Sequence, residues 1–172
     1  MNNLDFTKAS KSDIPQLIPL INGAYRSTSS KAWTGEAHIL GGKRVDEEIL
    51  ENAFNEKDAI FFVAKQNNNI LASIQVKLEN DSIHIGLFAV NTDLQGQNLG
   101  KRLLEFAEHE ANKIWKTNSF TMEVISTRNE LIEYYERRGY KRTSRFIDFP
   151  KSELWENKTG EDLKLLVLEK LI

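Results

Sequence analysis

The chain has 172 residues, a formal net charge of -2 from 23 Lys plus Arg against 25 Asp plus Glu, and no cysteine. A chain of this length buries roughly two-thirds of its unfolded surface in one core, so we expect a single domain over residues 1–172. The balanced charge argues against nucleic acid or an acidic membrane as a partner, and the lack of cysteine excludes disulfides, thiolate metal sites and a cysteine nucleophile.

The N-terminal quarter predicts a strand, a helix and a long loop. Leu4–Thr7 alternates weakly, which indicates a short strand, and apolar spacing predicts a helix from about Ser12 to Tyr25. The stretch from Arg26 to Lys43 is rich in turn formers and shows little periodicity. It carries Trp33 and Glu36, so we interpret it as either a disordered or a functional loop.

Three strands are predicted next. Helical spacing over Val45–Phe54 precedes an apolar run at Ile60–Ala64, an alternating segment at Ile70–Leu78 and a second apolar run at Ile85–Val90. The turns between these strands are short. They therefore predict an antiparallel meander.

The second half predicts two helices and three strands. An amphipathic helix is expected from about Leu99 to Trp115, followed by a strand, a second helix, and two last strands separated by a loop. Thr127 to Glu130 matches a capping box for the second helix, and Gly139 is expected to end it in a left-handed conformation. The four later segments are Phe120–Ile125, Arg128–Arg138, Tyr140–Phe146 and Leu163–Leu168, and the loop is Pro150–Glu161.

The turn between the third strand of the meander and the long helix has the features of an anion site. Its sequence is Gln95-Gly96-Gln97-Asn98-Leu99-Gly100. Glycines let backbone N–H groups approach an anion, and a helix N-terminus presents unpaired N–H groups and the positive end of its dipole. Lys101 follows directly. The three-glycine spacing of a dinucleotide fold and the Gly-Lys-Ser/Thr of a P-loop are both absent, so a different phosphate-bearing cofactor is expected.

Two motifs in this half resemble the GNAT superfamily of N-acetyltransferases. Gln95 and Gly100 match that family's Gln/Arg-x-x-Gly-x-Gly/Ala motif for acetyl-CoA, and Tyr135-Glu136-Arg137-Arg138-Gly139-Tyr140 is similar to its Tyr-Glu-x-x-Gly-Phe/Tyr signature. The loop with Tyr25, Trp33 and Glu36 also resembles a bacterial subgroup of unassigned substrate. The resemblance implies an α/β GNAT fold, a mixed, largely antiparallel central sheet flanked by helices.

Three residues depart from the family pattern. Asn98 replaces the middle glycine, Thr92 stands where proline is common, and Arg128 replaces a frequent asparagine. Because Asn tolerates a positive φ better than other non-glycine residues, we expect the turn to close. Arg128 is open to three interpretations: a contact to a cofactor phosphate, a contact to a substrate carboxylate, or a solvated arginine at a helix start.

The family's mechanism is direct attack of a primary amine on the thioester of acetyl-CoA. Carried over to this chain, it implies that the end of the third meander strand splays from the strand at Phe120–Ile125 to contact the pantetheine, while the turn contacts the pyrophosphate. The implied cofactor-binding residues are Phe88, Ala89, Val90, Gln95, Gly96, Gln97, Asn98, Leu99, Gly100, Lys101 and Arg128. We expect no metal, because no cluster has metal-ligand spacing.

The resemblance also implies Tyr135 as the acid that protonates the departing thiolate, as opposed to a merely packed tyrosine. Glu123 and Glu36 are the candidates for the base, with a solvated or ion-paired carboxylate as the alternative for each. Tyr25, Trp33 and Glu36 are the candidates for the acceptor pocket. Lone histidines within a strand or helix, such as His84, are interpreted as structural.

The remaining expectations concern partners and location. The first residues lack a secretory pattern and no apolar run approaches the roughly 18 residues of a membrane span, so we expect a soluble cytoplasmic protein. The acceptor, a small-molecule or a peptide amine, is not specified by the sequence, and a homodimer is left open. The alternative to an enzyme is a non-catalytic acyl-CoA-binding or regulatory module.

Overall fold

The computed structural model describes residues 3–26 and 35–172, and within them the chain forms nine strands and four α-helices. The strands are β1 (Leu4–Lys8), β2 (Leu40–Gly42), β3 (Ala59–Gln66), β4 (Asn69–Glu79), β5 (Ser82–Val90), β6 (Ser119–Ile125), β7 (Lys141–Asp148), β8 (Trp155–Asn157) and β9 (Lys164–Leu171). The helices are α1 (Ile14–Arg26), α2 (Glu47–Asn55), α3 (Leu99–Trp115) and α4 (Asn129–Glu136).

Seven strands form one sheet in the order β1-β3-β4-β5-β6-β9-β7. All neighbouring pairs are antiparallel except β5 and β6, which are parallel. The expected mixed, largely antiparallel sheet is confirmed, and so is the meander of β3, β4 and β5.

Helices cover both faces of this sheet. Apolar side chains of α3 and α4 share one buried cluster with β4, β6 and the first half of β5, while α1 and α2 share a second cluster with the other face. In α3 the fully buried residues Leu99, Leu103 and Ala107 recur every four positions, which places them on one stripe toward the sheet. Because both faces are covered, even the polar side chain of Ser73 in β4 is fully buried.

A bulge in β5 changes which face its side chains point to. Gln75 pairs with Gly86 but Ser73 pairs with Ala89, so β5 carries one extra residue opposite β4. Leu87 at this point has a φ of 44°. Before the bulge Ile85 packs toward α3, whereas after it Leu87 and Ala89 join the cluster with α1. Phe88 is thereby turned to the α3 side.

Strands β5 and β6 separate after a short contact. Ile83 pairs with Phe120 and His84 with Thr121, and the pairing ends there although β5 runs to Val90 and both strands are described along their whole length. The splay implied by the family resemblance is present. It opens a wedge in the sheet, lined by backbone and side chains of both strands.

Two regions expected as loops contain strands. Leu40–Gly42 and Trp155–Asn157 pair antiparallel as β2 and β8, a ribbon beside the wedge. Gly42 has a φ of 88°, and a Cβ there would lie 2.0 Å from the carbonyl oxygen of Leu154, so this approach requires glycine. Strands of only three residues are too short to show an alternating pattern from which they could be predicted.

The ends of α4 differ in part from expectation. The helix begins at Asn129 with Arg128 as its N-cap and, among the described residues, without a side-chain cap hydrogen bond, so the predicted capping box is wrong. At the other end, Gly139 has a φ of 94°, and its predicted left-handed conformation is confirmed. Trp33 lies outside the described residues, so its role stays a prediction from the sequence.

Candidate active site

Two cavities meet at the open end of the wedge. The larger, of about 510 Å³, lies between the end of β5, the start of α3 and α4, and we call it the helix groove. The smaller, of about 170 Å³, lies between the splayed strands and the β2–β8 ribbon, and we call it the wedge pocket. Four residues line both cavities and so form a shared wall: Tyr25, Phe88, Leu131 and Tyr135. A molecule in the groove can therefore present its end to the pocket.

The turn before α3 has the conformation that the motif requires. Gly96 has a φ of 84° and Asn98 a φ of 62° with ψ of 7°, so both adopt the left-handed region. The expectation that Asn98 can close the turn is confirmed. The first backbone bond of α3 runs from the Arg102 N–H to the Asn98 carbonyl. The preceding N–H groups, of Leu99, Gly100 and Lys101, are those that a helix leaves for an external acceptor.

Gly100 is placed where the backbone of α3 comes closest to the groove wall. A Cβ at this position would lie 3.1 Å from the Tyr134 hydroxyl and 3.2 Å from a methyl group of Val90. A side chain here would have to displace both neighbours. The glycine therefore keeps the groove open beside the helix N-terminus.

Cationic side chains surround this end of the groove. Lys101 from α3 and Arg137 and Arg138 from the end of α4 line it, together with the carboxylates of Glu130 and Glu133. Arg138 donates to the Tyr134 carbonyl at 2.8 Å and stacks on the Tyr134 ring at 3.4 Å from the ring centroid. Arg137 and Arg138 belong to the quoted signature, but the sequence reasoning does not assign them to the cofactor.

The cofactor candidates from the sequence divide into those that line the groove and those that do not. Phe88, Val90, Gln95, Gly96, Asn98, Gly100 and Lys101 all line the groove. Gln95 also donates to the Val90 carbonyl at 3.3 Å, which ties the turn to the strand end. Ala89 and Leu99 are buried in the cores and are not among the residues that line the groove. Gln97 is exposed and is not among the residues that line it.

Arg128 is not brought to the groove. It is 8% exposed and donates from Nη1 to the Gly35 carbonyl at 2.9 Å. The interpretation of a solvated arginine is therefore wrong. The guanidinium ties the start of α4 to the segment that leads into β2, so its position supports a structural role.

Tyr135 is buried where the groove and the pocket meet. Its ring makes an edge contact with Tyr134 at 5.2 Å and with Tyr140 at 6.0 Å, and it is 8% exposed. Burial, followed by the nearby Tyr25 and Tyr134, raises the pKa of Tyr135 well above its ordinary value. The phenol therefore stays protonated and can act as a hydrogen-bond donor at this junction.

The wedge pocket contains a histidine–carboxylate pair. His84 on β5 bonds through Nε2 to the Glu123 carboxylate on β6, across the point where the two strands begin to separate. Burial alone would lower the pKa of His84, but the hydrogen bond and charge of Glu123 outweigh it, and the pKa is raised. In the sequence, Glu123 is a candidate base whereas His84 looks like a lone histidine, because its partner lies 39 residues away.

Glu36 lies in the same pocket in an ion pair. Its carboxylate meets Nη1 of Arg26 at 2.5 Å, with both side chains largely buried, and its backbone N–H donates to the Tyr25 carbonyl at 2.7 Å. Tyr25 is close by, and burial, more than any nearby charge, raises the pKa of its phenol. The structure thus brings together Tyr25, Glu36, Glu123 and Tyr135.

Arg44 and Trp155 also line this pocket, and no sequence signal marks either of them. Arg44 follows a glycine-rich turn without periodicity, and Trp155 lies in a predicted loop. Within the described ranges there is no cluster of three or more acidic or histidine side chains that could hold a metal. None of the helices in the described part of the chain has the length and apolar character that a membrane crossing requires.

The fold is shared with solved acetyltransferase structures. Over 98% of this chain and 94% of the other, it is similar to the ribosomal-protein-S18-alanine N-acetyltransferase from Escherichia coli, with a TM-score of 0.72 and 17% identity. It is similar to PaiA N-acetyltransferase from Thermoplasma acidophilum in complex with coenzyme A over 99% of each chain, with a TM-score of 0.70 and 16% identity. At these identities the likeness concerns the fold alone.

A third structure, the ribosomal-protein-alanine N-acetyltransferase from Brucella melitensis, has a TM-score of 0.69 and 20% identity over 98% of this chain and 99% of its own. A comparison with curated proteins found no match. The family model described as "Acetyltransferase (GNAT) domain" matches residues 31–149, more than half of the sequence. The chain therefore belongs to the GNAT acetyltransferase family.

Proposed function

We propose that this protein, as one domain over residues 1–172, transfers the acetyl group of acetyl-CoA to a primary amine. The observation that carries this proposal is the junction of the two cavities. Tyr135 lies where a groove with a helix N-terminus meets a pocket with a carboxylate, so a thioester and an amine can meet beside a protonated phenol. Family membership supports the same reaction class.

The groove has the features expected of a CoA site. Its helix end offers the N–H groups of Leu99, Gly100 and Lys101 to an anion, and cations line the groove nearby. Phe88 and Val90, turned to this side by the bulge, supply an apolar wall of the kind that pantetheine requires. When bound, acetyl-CoA supplies the thioester, and the residues of the chain orient it.

Tyr135 is proposed as the acid. The amine nitrogen forms a bond to the acetyl carbon, the carbon–sulfur bond breaks, the nitrogen loses a proton and the sulfur gains one. A buried phenol with a raised pKa stays protonated, so it can donate a hydrogen bond to the thiolate that forms beside it. Its hydrogen bond stabilises the negative charge that develops on the sulfur.

Glu123 is proposed as the base, with His84 as its partner. A carboxylate that faces the pocket can take a proton from an alkylammonium directly or through water. Because His84 and Glu123 are hydrogen-bonded, a proton taken up at this site is shared by the pair and does not belong to one residue alone. Glu36 is engaged by Arg26 instead, which favours a role in shaping the pocket around Tyr25.

The test is thiol release from acetyl-CoA in the presence of a panel of amines and peptides, with the acetylated product identified by mass spectrometry. Acceptor-dependent thiol release is the expected result. Tight binding of acetyl-CoA with no such release would instead indicate the alternative, a non-catalytic acyl-CoA-binding module. No thermal shift on addition of acetyl-CoA would contradict both.

A further inference from the structure

We infer that the wedge pocket selects an acceptor that carries a carboxylate beside its amine, such as a free amino acid, and that Arg44 and Arg26 bind this carboxylate. The inference rests on the proposed function and names its substrate class. Three features of the pocket wall support this assignment: the position of Arg44, the ion pairs formed by the other charged residues, and the unpartnered donors of Arg26.

The backbone at Arg44 is anchored beside the pocket, and its side chain lies between two aromatic rings. The side chain of Asn22 accepts hydrogen bonds from the N–H groups of Arg44 and Val45 and donates to the Val45 carbonyl, each at 2.9 Å. The guanidinium lies 5.5 Å from the ring centroid of Tyr25 and 5.9 Å from that of Trp155. These cation–π contacts hold the guanidinium between the two rings, and its N–H donors are the groups that a ligand carboxylate would bind.

Among the described residues of the pocket, Arg44 is the cation without a counter-charge. Five ionisable groups other than tyrosine line the pocket in this part of the chain, and four of them form two pairs, Arg26 with Glu36 and His84 with Glu123. Arg44 forms no salt bridge with any residue in the described ranges. A partly buried cation in this setting favours an anionic ligand.

Arg26 adds donors of its own. Nη1 is bonded to Glu36, but Nε and Nη2 are buried and have no hydrogen-bond partner among the described residues. These two nitrogens form the side-on fork of a guanidinium, which Arg142 uses elsewhere in the chain to bind the Glu136 carboxylate at 2.9 and 3.4 Å. Buried donors without partners are costly, so a carboxylate that reaches this fork through a shift of the surrounding side chains is stabilised.

The polarity of the pocket matches a zwitterion. Glu123 provides a negative group for the ammonium, and the two arginines provide positive groups for the carboxylate, within a space of about 170 Å³. Phe149 and Trp155 supply an apolar wall. The N-terminal amine of a peptide is followed by an amide in place of a carboxylate, so a peptide leaves the arginines unused.

The experiment compares matched acceptors that differ in the carboxylate. Thiol release from acetyl-CoA is measured for leucine, phenylalanine and methionine and for the carboxamide of each, with wild type, Arg44→Gln, Arg44→Lys and Arg145→Gln. Arg145 lies on the exposed strand β7 and pairs with Glu169, so its variant removes a charge away from both cavities. For each protein, kcat/KM for the acid is divided by kcat/KM for the amide. Comparing this ratio between proteins cancels the difference in intrinsic reactivity of the two amines.

A charge-assisted contact predicts that Arg44→Gln lowers this ratio by about 10- to 100-fold, mainly through KM of the acid. Arg44→Lys should retain part of the preference, and Arg145→Gln should retain all of it. Equal losses for acid and amide in Arg44→Gln would overturn the inference. An acid-over-amide ratio in wild type as low as that of Arg44→Gln would also overturn the inference.

A binding measurement separates this inference from the proposed function. N-acetylleucine and N-acetylleucinamide are compared by thermal shift in the presence of CoA, with wild type and Arg44→Gln. Stabilisation by the acid in wild type but not in the variant supports the carboxylate subsite even if no amine releases thiol, an outcome that would defeat the proposed function alone. Thiol release without any carboxylate preference in rate or binding would defeat the inference alone.

Discussion

The helix groove and the wedge pocket share four wall residues, yet the chain builds them in different ways. Apart from Tyr25, the groove is made from two short segments, residues 88–101 and 130–138, each of which forms one side of it. The pocket combines segments as far apart as Tyr25, Arg44, Glu123 and Trp155. Local sequence determines the first site and tertiary packing the second. A substitution in one should therefore leave the other largely intact.

The largest expected effect is at the junction. Tyr135→Phe removes the proposed proton donor and leaves the turn before α3 unchanged, so kcat should fall by about 100-fold or more. The dissociation constant of acetyl-CoA should change little. Steady-state kinetics and calorimetry measure the two quantities. Tyr134→Phe, which removes a hydroxyl from the same groove, should affect turnover far less, and unchanged turnover in Tyr135→Phe would refute the acid role.

The next largest effect is expected from a substitution that distorts the wedge pocket and leaves the helix groove unchanged. In Gly42→Ala the new Cβ would meet the Leu154 carbonyl at 2.0 Å in a backbone with a φ of 88°, so β2 and β8 must move apart. We expect a loss of about 1–3 kcal/mol in the free energy of unfolding, together with a raised KM for the acceptor. Denaturant unfolding and acceptor kinetics measure these.

Gly160→Ala is the matched control for Gly42→Ala. Gly160 also has a positive φ, of 70°, but no heavy atom of the described residues lies within 4 Å of the position that its Cβ would take. This variant should show the backbone cost alone, roughly 1 kcal/mol. Acetyl-CoA should bind both variants like wild type. If Gly42→Ala weakens the binding of acetyl-CoA as much as it weakens the binding of the acceptor, the structures of the two cavities are not independent.

A smaller effect is expected at the turn. Asn98 has a φ of 62°, a region that costs alanine about 1 kcal/mol more than glycine or asparagine. Asn98→Ala should raise the dissociation constant of acetyl-CoA roughly five-fold, the equivalent of about 1 kcal/mol. Asn98→Gly should bind like wild type. Equal weakening in both variants would show that the amide group, and not the backbone conformation, matters there.

The smallest effect concerns stability against pH. The pKa of His84 is raised in the folded protein, so the His84–Glu123 pair contributes stability fully below the unfolded pKa of about 6.5 and loses it as the pH rises through the folded pKa. His84→Gln and Glu123→Gln should both remove this decline. Urea unfolding midpoints across that range measure it. A decline that persists in both variants would assign it to other groups.

The two cavities also mark what sequence reasoning can reach. Gln95, Gly100 and Tyr135 can be named from the sequence because they belong to two motifs that resemble a known family, and each motif is contiguous along the chain. The bulge is not, because Leu87 has a positive φ against its own propensity, which only the pairing of β4 with β5 explains. His84 looks structural in the sequence because its carboxylate partner is distant along the chain.

Arg44 illustrates the same limit from the other side. Nothing in its neighbourhood along the sequence distinguishes it from a surface arginine, since its position depends on Asn22 in α1 and on Trp155 more than a hundred residues later. Most helices and strands are predictable because apolar periodicity is a local property. The short ribbon of β2 and β8 cannot be predicted in this way. Each strand has three residues, too few to show periodicity, and the two strands are defined by their pairing with each other.

The wall shared by the two cavities has a thermodynamic consequence. Tyr25 and Phe88 line both spaces, so a ligand that fixes their side chains in one cavity can change the free energy of binding in the other, even where a substitution in one cavity leaves the other intact. Linkage then requires reciprocity: the factor by which bound CoA changes the affinity for an amine equals the factor by which the amine changes the affinity for CoA. A single pair of titrations, each ligand with and without the other, must close this cycle.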